Sequence, residues 1–256
     1  MVRKSIFLMW AVLFFPLNYT KSFGDENHLV IKQEQNPAVV VAETEPNTTV
    51  QDYLDCFAVV SDEAMKTALS GYAYLDEKGQ IQKKDIITIV DFSKPSTTER
   101  LFVINLRTKK IIAKSLCAHG RNSGEIYADK FSNWAESYQS SLGFYITGET
   151  YDGKNGFSLK LDGMEAGINS NARERGVVIH GADYVSYDFI NVNGKLGRSQ
   201  GCPALPLEKN EKIISLIKGG SCLFIYHPSK NYKKSSTILK HYNEDCLADV
   251  VSGFQQ

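Results

Sequence analysis

The sequence predicts a mainly β domain over about residues 85–230, entered through a helical lead-in. Three observations predict it. Beyond residue 85, short apolar or alternating runs recur between clusters of turn residues, the pattern of strands. Helical spacing of apolar residues is sustained only over 51–78 and 207–218. The loops between the runs are polar and rich in glycine, where a binding or reactive site is most often carried.

The elements follow in order. In 51–78, Ser61 can cap a helix, Asp62 and Glu63 stand in its first turn, and Met65, Leu69, Tyr72 and Leu75 recur at helical spacing before Gly79. "IITIVDF" and "RLFVINL" read as strands flanking "SKPSTTE". "KIIAKSLCAHG" reads as a third strand, with Ala113, Ser115, Cys117 and His119 on one face. "GFYIT" and "FSLKL" are strands separated by the turn signals of "YDGKNG", which reads as a turn and not as a metal loop. "GVVIHG" is a buried-type strand ending at His180. Residues 207–218 form a helix with Pro206 near its start and Gly219-Gly220 after it, and "CLFIYH" is the last strand. The Lys-rich segment and acidic tail that follow read as peripheral, and no internal repeat is present.

The N-terminus carries a different signal. Arg3 and Lys4 precede the apolar run "IFLMWAVLFF", which Pro16 breaks. The run is shorter than the roughly 20 residues of a membrane-spanning helix. A basic start, a short apolar core and the small residues Ser22 and Gly24 read as a secretory signal peptide. The expected organisation is a signal peptide over 1–24, a low-order linker over 25–50, the lead-in over 51–82, the β-rich domain over 83–230 and a tail over 231–256. The protein is then exported to the periplasm or cell envelope, without a transmembrane segment in the mature chain. The 256 residues carry no net charge, and losing Arg3, Lys4 and Lys21 leaves 26 basic against 29 acidic residues. This balance does not suggest a nucleic-acid partner.

Export changes how the five cysteines are read: Cys56, Cys117, Cys202, Cys222 and Cys246. An odd count in an oxidising compartment leaves at least one thiol free. Cys202 is therefore half of a disulfide, a packed thiol or a nucleophile. A cysteine nucleophile needs a base or a positive field, and histidine is the usual base. His180 and His119 each precede a glycine at an expected strand end. Gly201 lets backbone approach closely, and N–H groups around Cys202 can hold an oxyanion. A zinc site of His119, His180 and Cys202 is the rival chemistry, but no close-spaced ligand pair such as His-x-x-x-His occurs, and no metal is expected.

"IHGADYVS" followed by "GRSQGCPALP" resembles the His-Gly … Ser-x-Gly-Cys signature of the L,D-transpeptidases, in the branch called the murein L,D-transpeptidase catalytic domain. "AHGRNSG", "FSN", "SSLGFY" and "LDGMEAGIN" resemble the same branch, and the resemblance covers about residues 85–228. It implies a β-sandwich, with the helix of 207–218 following the catalytic cysteine. It also implies Cys202 as nucleophile, His180 as base, the Gly181 carbonyl orienting the imidazole, and Ser199 and Gly201 shaping the loop. Two positions depart from the wider family: Gln200 stands where histidine is common, and Ala204 where arginine or asparagine is common. Arg198 or Arg121 is then the expected substrate-carboxylate contact. His119 is expected to fill the space of the absent histidine, and Tyr184 to line the cleft. The implied activity is cross-linking of peptidoglycan stem peptides through a thioester, with no cofactor and with acylation of Cys202 by a carbapenem. Hydrolysis on the same fold, or wall binding without catalysis, is the alternative.

Overall fold

The computed structural model describes residues 49–241 and 245–254. The expected signal peptide, the linker as far as residue 48 and the side chain of Cys246 lie outside the described residues. Among the described residues no helix is long and apolar enough to cross a membrane.

The lead-in is two helices. In α1 (Val50–Asp55) the Thr49 hydroxyl accepts from the Asp52 N–H, and the Asp52 carboxylate accepts from the Thr49 N–H. In α2 (Asp62–Glu77) the Ser61 hydroxyl accepts from the Ala64 N–H, as the sequence suggests. The turn between them drives Phe57 and Val60 into the core. Helix α2 then lies against the sheet so closely that a Cβ on Gly71 would fall 1.9 Å from Phe144 Cζ. The lead-in is thus built into the core of the β domain.

The strands are β1 (Ile86–Asp91), β2 (Leu101–Asn105), β3 (Lys110–Ser115), β4 (Gly143–Gly153), β5 (Gly156–Gly163), β6 (Val178–Ala182), β7 (Ala204–Pro206) and β8 (Cys222–Tyr226). They hydrogen-bond in the order β3-β2-β1-β8-β4-β5-β6-β7, with β1–β8 and β6–β7 parallel and the other pairs antiparallel. The mainly β fold is the one expected. Strands β1 and β8 are buried along their whole length, and Phe144 of β4 stacks on Phe224 of β8 with centroids 4.2 Å apart. The expected helix after the cysteine is α4 (Leu207–Ile217), which buries Ile213, Ile214 and Ile217.

Three local expectations are corrected and one helix is added. The strand expected through His119 stops at Ser115, because the chain then leaves β2 to pair with the 199–204 segment. Its Ala118 N–H donates to Ala204 O at 2.8 Å, and the Ser199 N–H donates to His119 O at 2.9 Å. His180 lies inside β6, because parallel pairing with β7 (His180 opposite Ala204) carries the strand on to Ala182. A helix unmarked in the sequence reading, α3 (Tyr187–Asn193), starts on the Ser186 cap and ends at Gly194 with φ 72°. The C-terminal segment is not peripheral: α5 (Lys230–Ser235) buries Tyr232, and α6 (Asp245–Gly253) buries Leu247 and Val251.

Candidate active site

The loop before β7 is fixed from within. The Ser199 hydroxyl donates to Cys202 O at 2.6 Å and accepts from the Gly201 N–H at 3.0 Å. Gly201 has φ 125°, which favours glycine, and a Cβ there would fall 2.8 Å from Gln139 O. The Ser140 hydroxyl donates to Gly201 O at 3.0 Å and accepts from the Gly120 N–H. Residues 118–121, 138–140 and 199–204 thus come together from distant parts of the chain.

Cys202 is half-buried. Its Sγ accepts from the Val178 N–H at 3.4 Å, and its S–H faces Gly176 O at 3.7 Å. His180, two residues beyond Val178, is 6% exposed, and its Nδ1 lies 2.9 Å from Gly181 O. A carbonyl only accepts, so Nδ1 carries the proton and Nε2 keeps its lone pair. His180 and Cys202 line one cavity of about 1060 Å³. Burial pushes the Cys202 thiol above its usual range, against the Val178 N–H and the positive charges of Arg175 and Lys154, which pull it down. Burial lowers the His180 imidazole below its ordinary value, although the Gly181 carbonyl opposes this. The cavity is therefore lined by a neutral thiol and by a neutral imidazole whose Nε2 keeps its lone pair.

Of the other sequence candidates, Gly181, Ser199, Tyr184 and Arg198 line the same cavity. Arg198 has other work: it pairs with Glu125, and its Nη1 donates to Arg121 O and Gly124 O. Burial raises the Tyr184 hydroxyl to about 12. Arg121 lies elsewhere, on a neighbouring cavity, with its guanidinium 3.8 Å from the centre of the Tyr138 ring. His119 is also elsewhere. It is buried, with Nδ1 2.8 Å from Arg100 Nη2 and Nε2 3.2 Å from Gly124 O, and burial lowers it to about 4. It neither lines the cavity nor joins His180 and Cys202 in a metal site. Cys56, Cys117 and Cys222 are free thiols, the first exposed and the other two buried.

Sequence reasoning missed Arg175 and Lys154, both of which line the cavity. Arg175 lies in "NARERG", outside every motif singled out in the sequence, and Lys154 in the "DGKNG" turn. Nothing local marks either; the fold brings them to the sulfur. Among the described residues Lys154 forms no ion pair.

The model of the family described as L,D-transpeptidase catalytic domain matches residues 58–226. The match takes in α2, beyond the 85–228 of the motif resemblance. No curated protein matches the chain. Solved structures similar to this chain include these three. The first is an L,D-transpeptidase from Mycobacterium smegmatis, at 11% identity over 56% of this chain and 59% of that one, with a TM-score of 0.36. The second is the helical cell shape determining protein Pgp2 from Campylobacter jejuni, at 13% identity over 76% and 63%, with a TM-score of 0.41. The third is an L,D-transpeptidase from Xylanimonas cellulosilytica, at 13% identity over 60% and 68%, with a TM-score of 0.34. This chain therefore spans about three fifths of the length of the first two.

Proposed function

Because the chain belongs to the L,D-transpeptidase catalytic domain family, matched over residues 58–226, we propose that it is an exported cysteine L,D-transpeptidase acting on peptidoglycan stem peptides. The observation that carries the reading is the shared cavity of Cys202 and His180, with Nδ1 held by Gly181 O and Nε2 left as a base.

His180 Nε2 takes the proton of the Cys202 thiol, and the sulfur attacks the carbonyl of the L-configured diamino-acid centre linked to terminal D-Ala. The N–H groups of Val178 and Cys202 are the donors nearest the sulfur for the oxyanion. The C–N bond breaks, D-Ala leaves with the proton from His180, and a thioester remains. An amine of a second stem attacks the thioester and loses its proton to His180. The C–S bond breaks, the cross-link forms, and the thiolate recovers the proton. Water in place of the amine would give the carboxypeptidase reaction.

The test is product analysis with purified muropeptides. Wild type is expected to give cross-linked dimers and release D-Ala, and Cys202→Ala neither. Trimmed monomers without dimers would replace the transferase by a hydrolase. A Cys202→Ala protein that still binds wall, together with a wild type that never forms an acyl-enzyme, would leave only a binding role. Export is tested by N-terminal sequencing of the envelope-associated protein, which is expected to begin at Asp25.

A further inference from the structure

The nucleophile loop leans on an irregular segment, residues 131–141, whose shape one side chain holds. Arg175 donates from Nη1 to Ser132 O at 2.7 Å and Ser141 Oγ at 3.2 Å, and from Nη2 to Gln139 O at 2.7 Å and Ser137 Oγ at 3.3 Å. Every acceptor is neutral, so the guanidinium sits half-buried with no carboxylate partner among the described residues. The segment it holds is strained: Glu136 has φ 56° and Tyr138 φ 54°, both non-glycine residues in the left-handed region. This segment supplies the two groups that back Gly201, Gln139 O in close contact and the Ser140 hydroxyl on Gly201 O. The backbone just after Arg175 touches the sulfur directly, through Gly176 O and the Val178 N–H.

We propose that Arg175 is a positioning residue for Cys202, setting a fixed positive charge beside the sulfur and, through residues 132–141, holding Gly201 in the reactive loop conformation. The proposal rests on Cys202 being the nucleophile. It gives the site two separable supports: charge, which governs how readily the thiolate forms, and the strap through Ser140, which governs how well it is aimed. The other charged groups at the cavity are Lys154, Arg198, Glu136, Glu174 and Asp183, with His180, Tyr138, Tyr151 and Tyr184 titratable beside them. Among the described residues, Arg175 and Lys154 pull the Cys202 thiol downward by charge.

The experiment follows alkylation of Cys202 by iodoacetamide across pH in the full mature chain, resolved from the other cysteines by peptide mapping. Arg175→Gln is expected to slow alkylation about tenfold below the thiol pKa, the loss that corresponds to raising that pKa by about one. The high-pH limiting rate is expected to stay, and Arg175→Lys to restore the low-pH rate. An Arg175→Gln profile equal to wild type would overturn the charge role. So would an equal loss in both variants at every pH. Ser140→Ala spares the charge and is less exposed to misfolding. It is expected to slow thioester formation with a carbapenem several-fold while leaving the alkylation pKa unchanged, and an unchanged thioester rate overturns the strap. A wild-type Cys202 inert to both reagents would instead sink the nucleophile reading itself.

Discussion

Removing the Ser199 hydroxyl tests whether the reactive loop is held from inside. Ser199 is 5% exposed, and its oxygen makes both hydrogen bonds that close the 199–202 turn, to Cys202 O and from the Gly201 N–H. Each such bond contributes on the order of 1 kcal/mol net. Ser199→Ala also leaves the buried Gly201 N–H unpaired, at about 1–3 kcal/mol. With the Gly201 bond counted through its unpaired N–H, the expected loss is about 2–4 kcal/mol, or roughly 4–16 °C in melting temperature for a domain of this size. Acylation by a carbapenem should fall more than stability accounts for, measured where the variant is still fully folded, because the turn sets the sulfur's direction. Urea denaturation gives the first quantity and intact-mass kinetics the second. A midpoint within about 0.5 kcal/mol of wild type, the range of an ordinary surface substitution, together with an unchanged acylation rate, would refute the reasoning.

Other outcomes follow from the same geometry. Gly71→Ala places a methyl inside the Phe144 ring position and should destabilise the whole domain by about 1–3 kcal/mol in one cooperative urea transition; a separate early transition of the lead-in would contradict its place in the core. Acylation should fall as pH drops through the His180 pKa, with its half-point below 6.5, because a protonated imidazole cannot take the thiol proton; a half-point above 6.5 would oppose this. Glu165 is buried, accepting from the Phe144 N–H, the Tyr232 hydroxyl and the Ser236 hydroxyl, and burial raises its pKa. A raised carboxyl favours the native state at low pH and loses that contribution as pH rises through the folded value. Wild type should therefore lose stability relative to Glu165→Gln as pH climbs above 4.5, read from urea midpoints at several pH values.

What could be read from the sequence was what local chemistry dictates. The Ser61 cap, the central strands and the helix after Cys202 are written in spacing and turn residues, and the structure carries them. His180 and Cys202 stand out in the sequence because motif and residue type agree, and the structure places both on one cavity. What failed were positions whose role is set by pairing across the chain. Alternation through "SLCAHG" suggested one straight strand, yet that segment turns away to cradle residues 199–204. His119 thereby becomes a buried partner of Arg100 instead of a cleft residue. The tail was misjudged because its burial depends on four apolar side chains, Tyr232, Ile238, Leu247 and Val251, spread through a polar stretch.

The two departures from the family signature now separate. Ala204 is fully buried, opposite His180 in β7 and bridged to Ala118 on its other side. It does not line the cavity, so its side chain has no route to a substrate carboxylate. Gln200 is exposed and does line the cavity. Arg198, the natural replacement by position, is drawn off by Glu125. Arg175 has no ion pair either, but its guanidinium is taken up by four neutral oxygens, so among the described residues the cavity cation with no ion pair and no such bonds is Lys154, carried on the β4–β5 turn. A carboxylate-bearing stem is thus expected to lose affinity in Lys154→Gln more than in Arg198→Gln. Because Lys154 also draws the Cys202 thiol down by charge, Lys154→Gln should raise KM for the stem and lower kcat with it, whereas Arg198→Gln should leave both closer to wild type. A larger KM effect from Arg198→Gln would return the carboxylate to the 197–202 loop.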